Sequence, residues 1–179
     1  TLYTAIVPFH VADSCNVSPS TACFLHSWGH NSASADCDAY FGPGTPAREE
    51  LRLWTSTPLA RLQGRLQLDP TALQIVGLKP VGAATGMQLT WNPLPDGASF
   101  VLFSTGTRAI RSRCMPPAMC PPGPDPVLEV LVAPRPGGPI PRRTLLDVRN
   151  LVGADSLGRE VLECPTFAVI PPARICAGH

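Results

Sequence analysis

Two histidines four residues apart, His26 and His30 in FLHSWGH, are the first pair whose types and spacing could do chemistry. On one face of a helix that spacing presents both imidazoles to a metal, and Asp36, Cys37 or Asp38 downstream could complete the set. The Ser, Gly and Asn around them do not promise a helix. The competing reading is a pair of partly exposed histidines in a loop. No G-x-S-x-G elbow, H-E-x-x-H, phosphate loop or dinucleotide fingerprint occurs elsewhere in the chain. The balance leans away from an enzyme and implies no cofactor, with a metal-dependent enzyme built around His26 and His30 as an alternative.

Seven cysteines are the second chemical signal: Cys15, Cys23, Cys37, Cys114, Cys120, Cys164 and Cys176. None forms a C-x2-C, whereas zinc knuckles want ligands two to four residues apart and thioredoxin-type redox work needs C-x-x-C at a helix start. Disulfides are the expectation, and they place the chain in an oxidising compartment. Cys114 and Cys120 lie six positions apart in a proline-rich stretch and are expected to staple a local loop. Six of the seven can pair locally, which leaves one odd thiol. Asn16-Val17-Ser18 is an N-glycosylation sequon and points along the same secretory route. A chain opening at Thr1 without Met suits a mature product whose leader has been removed, and equally a trimmed fragment.

Arginine supplies the third signal. Arg108, Arg111 and Arg113 precede the Cys114–Cys120 loop, and Arg135, Arg142 and Arg143 surround the loop PRPGGPIPRR. If both loops lie at one end of a sandwich, these six side chains form a basic rim. Such a rim could take a protein partner or an acidic or sulfated glycan through bidentate contacts. Nucleic acid is not expected, because the net charge of the whole chain is only +1. No apolar run approaches the length of a membrane span.

The elements that must position these groups are strands. Twenty-two prolines in 179 residues forbid long helices almost everywhere. Residues 2–12 read as a strand kinked at Pro8, and 13–46 as a cysteine-stapled loop segment. Residues 47–54, 60–69, 72–81, 86–94, 99–106, 126–134, 142–153 and 159–172 show short apolar or alternating runs bounded by Gly, Pro and Asp. Seven to nine strands predict an all-β, antiparallel β-sandwich of fibronectin III/Ig-like or jelly-roll-like type with long Pro/Gly loops. A division into 1–69 (first strand, cysteine-rich segment, first sheet strands) and 70–179 (sandwich module with a stapled tail) is expected, within what can be a single domain. Trp91 is expected in the core, with Leu89, Val101, Phe103, Val130 and Val148 as neighbours.

One stretch resembles the fibronectin type III family over about residues 70–172. Leu73 and Ile75 stand for its first strand, Leu89 and Trp91 for its L-x-W strand, and Pro93 to Gly97 for the following turn. Phe100 and Leu102 then stand for the next strand. Asn150 and Gly153 are similar to its later Asn-x-x-Gly turn. The family's tyrosine is absent, with Leu145 and Leu146 in its place, and the Cys114–Cys120 loop has no counterpart there. The resemblance implies an extracellular binding module.

Together these readings predict a secreted or cell-surface protein that binds protein or glycan partners or self-assembles. A structural subunit of an extracellular array, filament or capsid is the other alternative.

Overall fold

Alternation decides the strands. In β3 (Ala47–Thr55) every second residue, from Ala47 to Thr55, is buried, while Arg48, Glu50, Arg52 and Trp54 point outward. The same period of two runs through β4 (Arg61–Gln67) and β7 (Gly97–Phe103), which bury Leu62 and Leu66, and Ala98, Phe100 and Leu102. The computed structural model describes residues 22–29, 36–112, 124–164 and 170–178.

Two sheets face each other. One runs β5 (Leu73–Pro80), β8 (Asp125–Pro134), β3, β1 (Cys23–Gly29), and the other runs β9 (Arg143–Ala154), β4, β7, β6 (Gln88–Leu94). The short strand β10 (Glu160–Glu163) joins them, parallel to β1 and antiparallel to β9. The first half of β9 pairs with β11 (Ala173–Ala177), and β11 carries the three-residue β2 (Ala39–Phe41) in parallel. A 3-10 turn spans Gly82–Ala84. This is the expected all-β sandwich, in a jelly-roll-like arrangement. Phe24, Leu51, Leu66, Phe100, Leu128 and Leu146 are among its fully buried residues.

Local chemistry sets the corners. β6 turns into β7 through Pro95-Asp96, with Leu94 opposite Gly97. At Gly97 φ is 151° and an added Cβ would sit 1.9 Å from the Leu66 carbonyl oxygen, so only glycine fits. On β9 a bulge sets Asn150 and Leu151 against the single residue Gly64 of β4, and Asn150 takes φ 51°. Asparagine tolerates that left-handed geometry better than most residues.

Several expectations change here. The segment 13–46 is not a loop throughout, since it contains β1, a central strand, and β2. Asn150 and Gly153 form no turn; both lie inside β9. β5 and β6 lie in opposite sheets, although the fibronectin comparison read them as successive strands of one module. Trp91 is half-buried on the edge strand β6, opposite Phe100. Its inward row is Leu89, Phe100 and Leu102, so Val101 and Phe103 face outward. Val130 and Val148 are core residues as expected. A one-residue slip of register exchanges the two faces of a strand, and that is the whole of this correction.

The cysteines pair across the chain. Cys23 bonds Cys164 and Cys37 bonds Cys176, at sequence separations of 141 and 139. Local pairing of these four is therefore corrected. The first bond ties the start of β1 to the end of β10, and the second ties the lead-in of β2 to β11. Both staple a parallel strand pair, whose partners can meet only after a long excursion of the chain. Cys15, Cys114 and Cys120, Asn16, and the strand 2–12 lie outside the described residues.

Candidate protein-binding face

The outer side of β6-β7-β4-β9 is a grid. Across the strands, Gln88, Phe103 and Arg61 form one row, and Thr90, Val101, Gln63 and Val152 the next. Asn92, Ser99, Arg65 and Arg149 form a third. Phe103 and Val101 on β7, with Val152 on β9 across the Gln63 stem, make a half-exposed, largely apolar strip. Amides, hydroxyls and three arginines border it. Arg61 donates to Gln63 Oε1 at 2.7 Å, while Arg65 Nη2 reaches both Asp96 carboxylate oxygens at 2.7 and 2.8 Å. The Arg65 hydrogen bond holds the Asp96 carboxyl below its ordinary pKa. Arg149 pairs with Asp147 at 2.7 Å. A flat apolar strip inside a polar, arginine-bearing border has the composition of a protein interface, whereas small ligands need concavity.

The opposite outer face, on β3-β8-β5, is knitted to itself. Glu50 and Glu129 stand directly opposite each other, and Lys79 stands opposite Glu129 on the far side. Arg52 holds Glu50 at 2.8 Å and Arg48 holds Glu129 at 3.3 Å, so each like charge is answered by an arginine of β3. Trp54, Leu25 and the Cys23–Cys164 bond form a separate apolar cluster on this side.

The arginines expected to form one rim are split. The segments before Asp125 and after Pro134 leave opposite ends of the ten-residue β8, roughly 30 Å apart at strand rise. Arg108 donates to the Thr85 carbonyl at 3.1 Å and Arg111 is exposed nearby. At the other end Arg135 is a strut, donating to the carbonyls of Leu73 at 3.1 Å and Pro95 at 2.6 Å. Arg142 and Arg143 are exposed beside Tyr40 and Asp36. Arg113 and His30 lie outside the described residues.

His26 is on strand β1, not a helix. Its Nδ1 pairs with Glu163 Oε1 beside a cleft of about 880 Å3 that Asp147 and Arg149 also line. Among the described residues, no three His, Cys, Asp or Glu side chains gather to hold a metal.

A buried polar cluster lies at the β2 end of the sandwich. Asp38 is 2% exposed and accepts from Arg174 Nε at 3.2 Å, Nη2 at 3.1 Å and the backbone N–H at 2.7 Å. These bonds push the Arg174 pKa further up. Glu49, wholly buried on the inner face of β3, has one oxygen bonded to the Glu50 N–H at 2.9 Å. Its other oxygen has no partner. Burial raises its pKa to about 8; the Glu50 N–H opposes this in part, and the nearby Asp38 charge adds a smaller push upward.

Solved structures similar to this chain are cohesin modules. The sixth cohesin of scaffoldin B from Acetivibrio cellulolyticus, solved in complex with a dockerin, matches with a TM-score of 0.58 at 16% identity. The match covers 87% of this chain and 99% of that one. This chain has a cohesin-like fold. A type I cohesin–dockerin complex from Clostridium thermocellum matches at TM-score 0.57 and 14% identity, over 87% of this chain and 99% of that one. A non-cellulosomal cohesin from Archaeoglobus fulgidus matches at 0.54 and 7% identity, over 89% and 93%. The cohesin likeness replaces the fibronectin type III resemblance. No protein-family model and no curated protein matches the chain.

Val101 and Phe103 have the side chains of core residues, so hydrophobicity alone conceals this face. The signal was present in the polar positions of ARLQGRLQLD and GMQLTWNPL, whose regular Gln, Arg, Thr and Asn mark one solvent face.

Proposed function

We propose that this chain is a protein-binding assembly module that docks its partner on the outer face of β6-β7-β4-β9. The observation that carries the reading is the half-exposed strip of Phe103, Val101 and Val152 within its amide and arginine border. The contrast with the self-paired outer face of β3-β8-β5 supports it. So do the cohesin-like neighbours, two of which were solved with dockerins. The partner class is a dockerin-like protein presenting apolar side chains ringed by carboxylates and amides. The two long-range disulfides support a site of action outside the reducing cytosol. The test is calorimetric titration with a panel of purified dockerins, using the parent and Val101→Asp with Phe103→Asp. Binding should disappear in the double variant while its unfolding transition stays cooperative. A folded double variant that binds like the parent would refute this face.

A further inference from the structure

We propose that the cleft between β2 and the start of β9 binds an anionic saccharide. In this site Arg142 and Arg143 take a carboxylate or sulfate while Tyr40 stacks against the sugar ring. The cleft measures about 710 Å3, within the roughly 300–1,000 Å3 typical of ligand sites. Its floor is the Cys37–Cys176 disulfide, which fixes β2 against β11. Tyr40, Cys176 and Arg143 are register partners across β2, β11 and β9, so the tyrosine and the arginine stand on one face with a strand between them. Two strand spacings make that gap about 10 Å, enough for one sugar ring.

The side chains divide the work that such a ligand demands. Tyr40 is 40% exposed, an aromatic plane held on a short, stapled strand. Sugar rings present C–H faces that pack on aromatic planes, and their hydroxyls need acceptors. Asp36 lines the same cleft and supplies an acceptor. Arg142 and Arg143 outweigh that one carboxylate, so the cleft keeps a net positive charge. Guanidinium forks match carboxylate and sulfate oxygens in pairs. Arg174 and Arg135 differ, because each is held by groups of the fold itself. The aromatic plane of Tyr40 and a gap of one ring's width favour a sugar over an acidic peptide strand, and a tetraglutamate control separates the two.

This site shares no residue with the grid on β6-β7-β4-β9, so either proposal can fail without the other. The experiment titrates the full, oxidised chain with a tetragalacturonate, a sulfated chondroitin tetrasaccharide, neutral cellotetraose and a tetraglutamate peptide. At least one anionic sugar should bind and cellotetraose should not; comparing the two anionic sugars shows whether carboxylate or sulfate is preferred. Arg142→Gln with Arg143→Gln should weaken that binding at least about tenfold, the loss of one or two charge-assisted hydrogen bonds. Tyr40→Ala should weaken it too, with the melting temperature of both variants unchanged. The proposal is overturned if neither anionic sugar binds, or if cellotetraose binds equally well. Tighter binding of tetraglutamate than of both sugars would overturn it in favour of a peptide site. A folded Arg142→Gln, Arg143→Gln variant that binds like the parent would overturn it as well.

Discussion

The two outer faces of the sandwich are built from the same strand geometry and reach opposite ends. On β3-β8-β5 the outward charges answer one another, and a disulfide with Trp54 and Leu25 closes one flank. On β6-β7-β4-β9 the arginines are tied at the margins and an apolar strip stays open between them. Charges are paired on both faces, so the face that also carries an apolar centre is the one that gives a partner surface to bury. The open face has its apolar centre and polar border ready. The direction of recognition in this sandwich follows the apolar residues left between paired charges, more than the number of charges on either face.

The largest test of this contrast removes the staple beneath the knitted side. Cys23→Ser with Cys164→Ser should destabilise the fold by about 3–4 kcal/mol in the chain-entropy model, because with Cys37–Cys176 intact the bond closes a ring made only of the stretches 23–37 and 164–176. Urea unfolding would measure it. A loss under about 1 kcal/mol would show that parallel pairing of β1 and β10 stands without the bond.

Next in size is the buried acid under the same sheet. The Glu49 carboxyl has a folded pKa of about 8, against 4.5 when unfolded. The folded state therefore holds the proton more tightly, and the stability this gives is complete below about pH 4.5. It is lost progressively as the pH rises toward 8. The slope reaches at most about 1.4 kcal/mol per pH unit, a few kcal/mol over the window. Glu49→Gln should flatten that part of the profile, and superimposable pH profiles for the two proteins would refute it.

Trp91→Ala should cost only about 1–2 kcal/mol, less than the 3–5 kcal/mol of a fully buried aromatic, because the ring is half-buried on an edge strand. A larger loss would move Trp91 into the core and weaken the outward assignment of Val101 and Phe103.

The smallest effect separates the faces most sharply. Glu129→Ala breaks the ladder on β8, yet exposed and half-exposed ion pairs contribute about 1 kcal/mol or less. It should leave partner binding intact. Loss of binding in Glu129→Ala, with binding retained in Val101→Asp, would reverse the comparison.

Much of the fold was legible because alternation is a local property. Leu62 and Leu66, and Val130 and Val132, announce their strands without help from the rest of the chain, whereas Leu51 and Leu53 alternate beside Glu49 and Glu50, which also suit a helix start. β1 was not legible. CFLHSWG sits among small polar residues and is buried on nearly every position, so it lacks the period that would mark it. Disulfide partners were not legible either, since nothing near Cys23 indicates a mate 141 positions away. The candidate face was half legible. Its polar border showed as regular outward Gln and Arg, but Val101 and Phe103 look like core residues to any reading based on hydrophobicity alone.

The two disulfides among the described residues also determine how they would carry a mechanical load. Cys23 is bonded to Cys164 and Cys37 to Cys176. Tension entering before Cys23 and leaving after Cys176 can travel through the stretch 23–37 or the stretch 164–176, crossing one disulfide in either case. The strands between Cys37 and Cys164, with both sheet faces, lie off that covalent path. A domain under such a pull could lengthen only by drawing out these short stretches, and the strands between Cys37 and Cys164 would carry none of the covalent load. Only reduction would let it pay out.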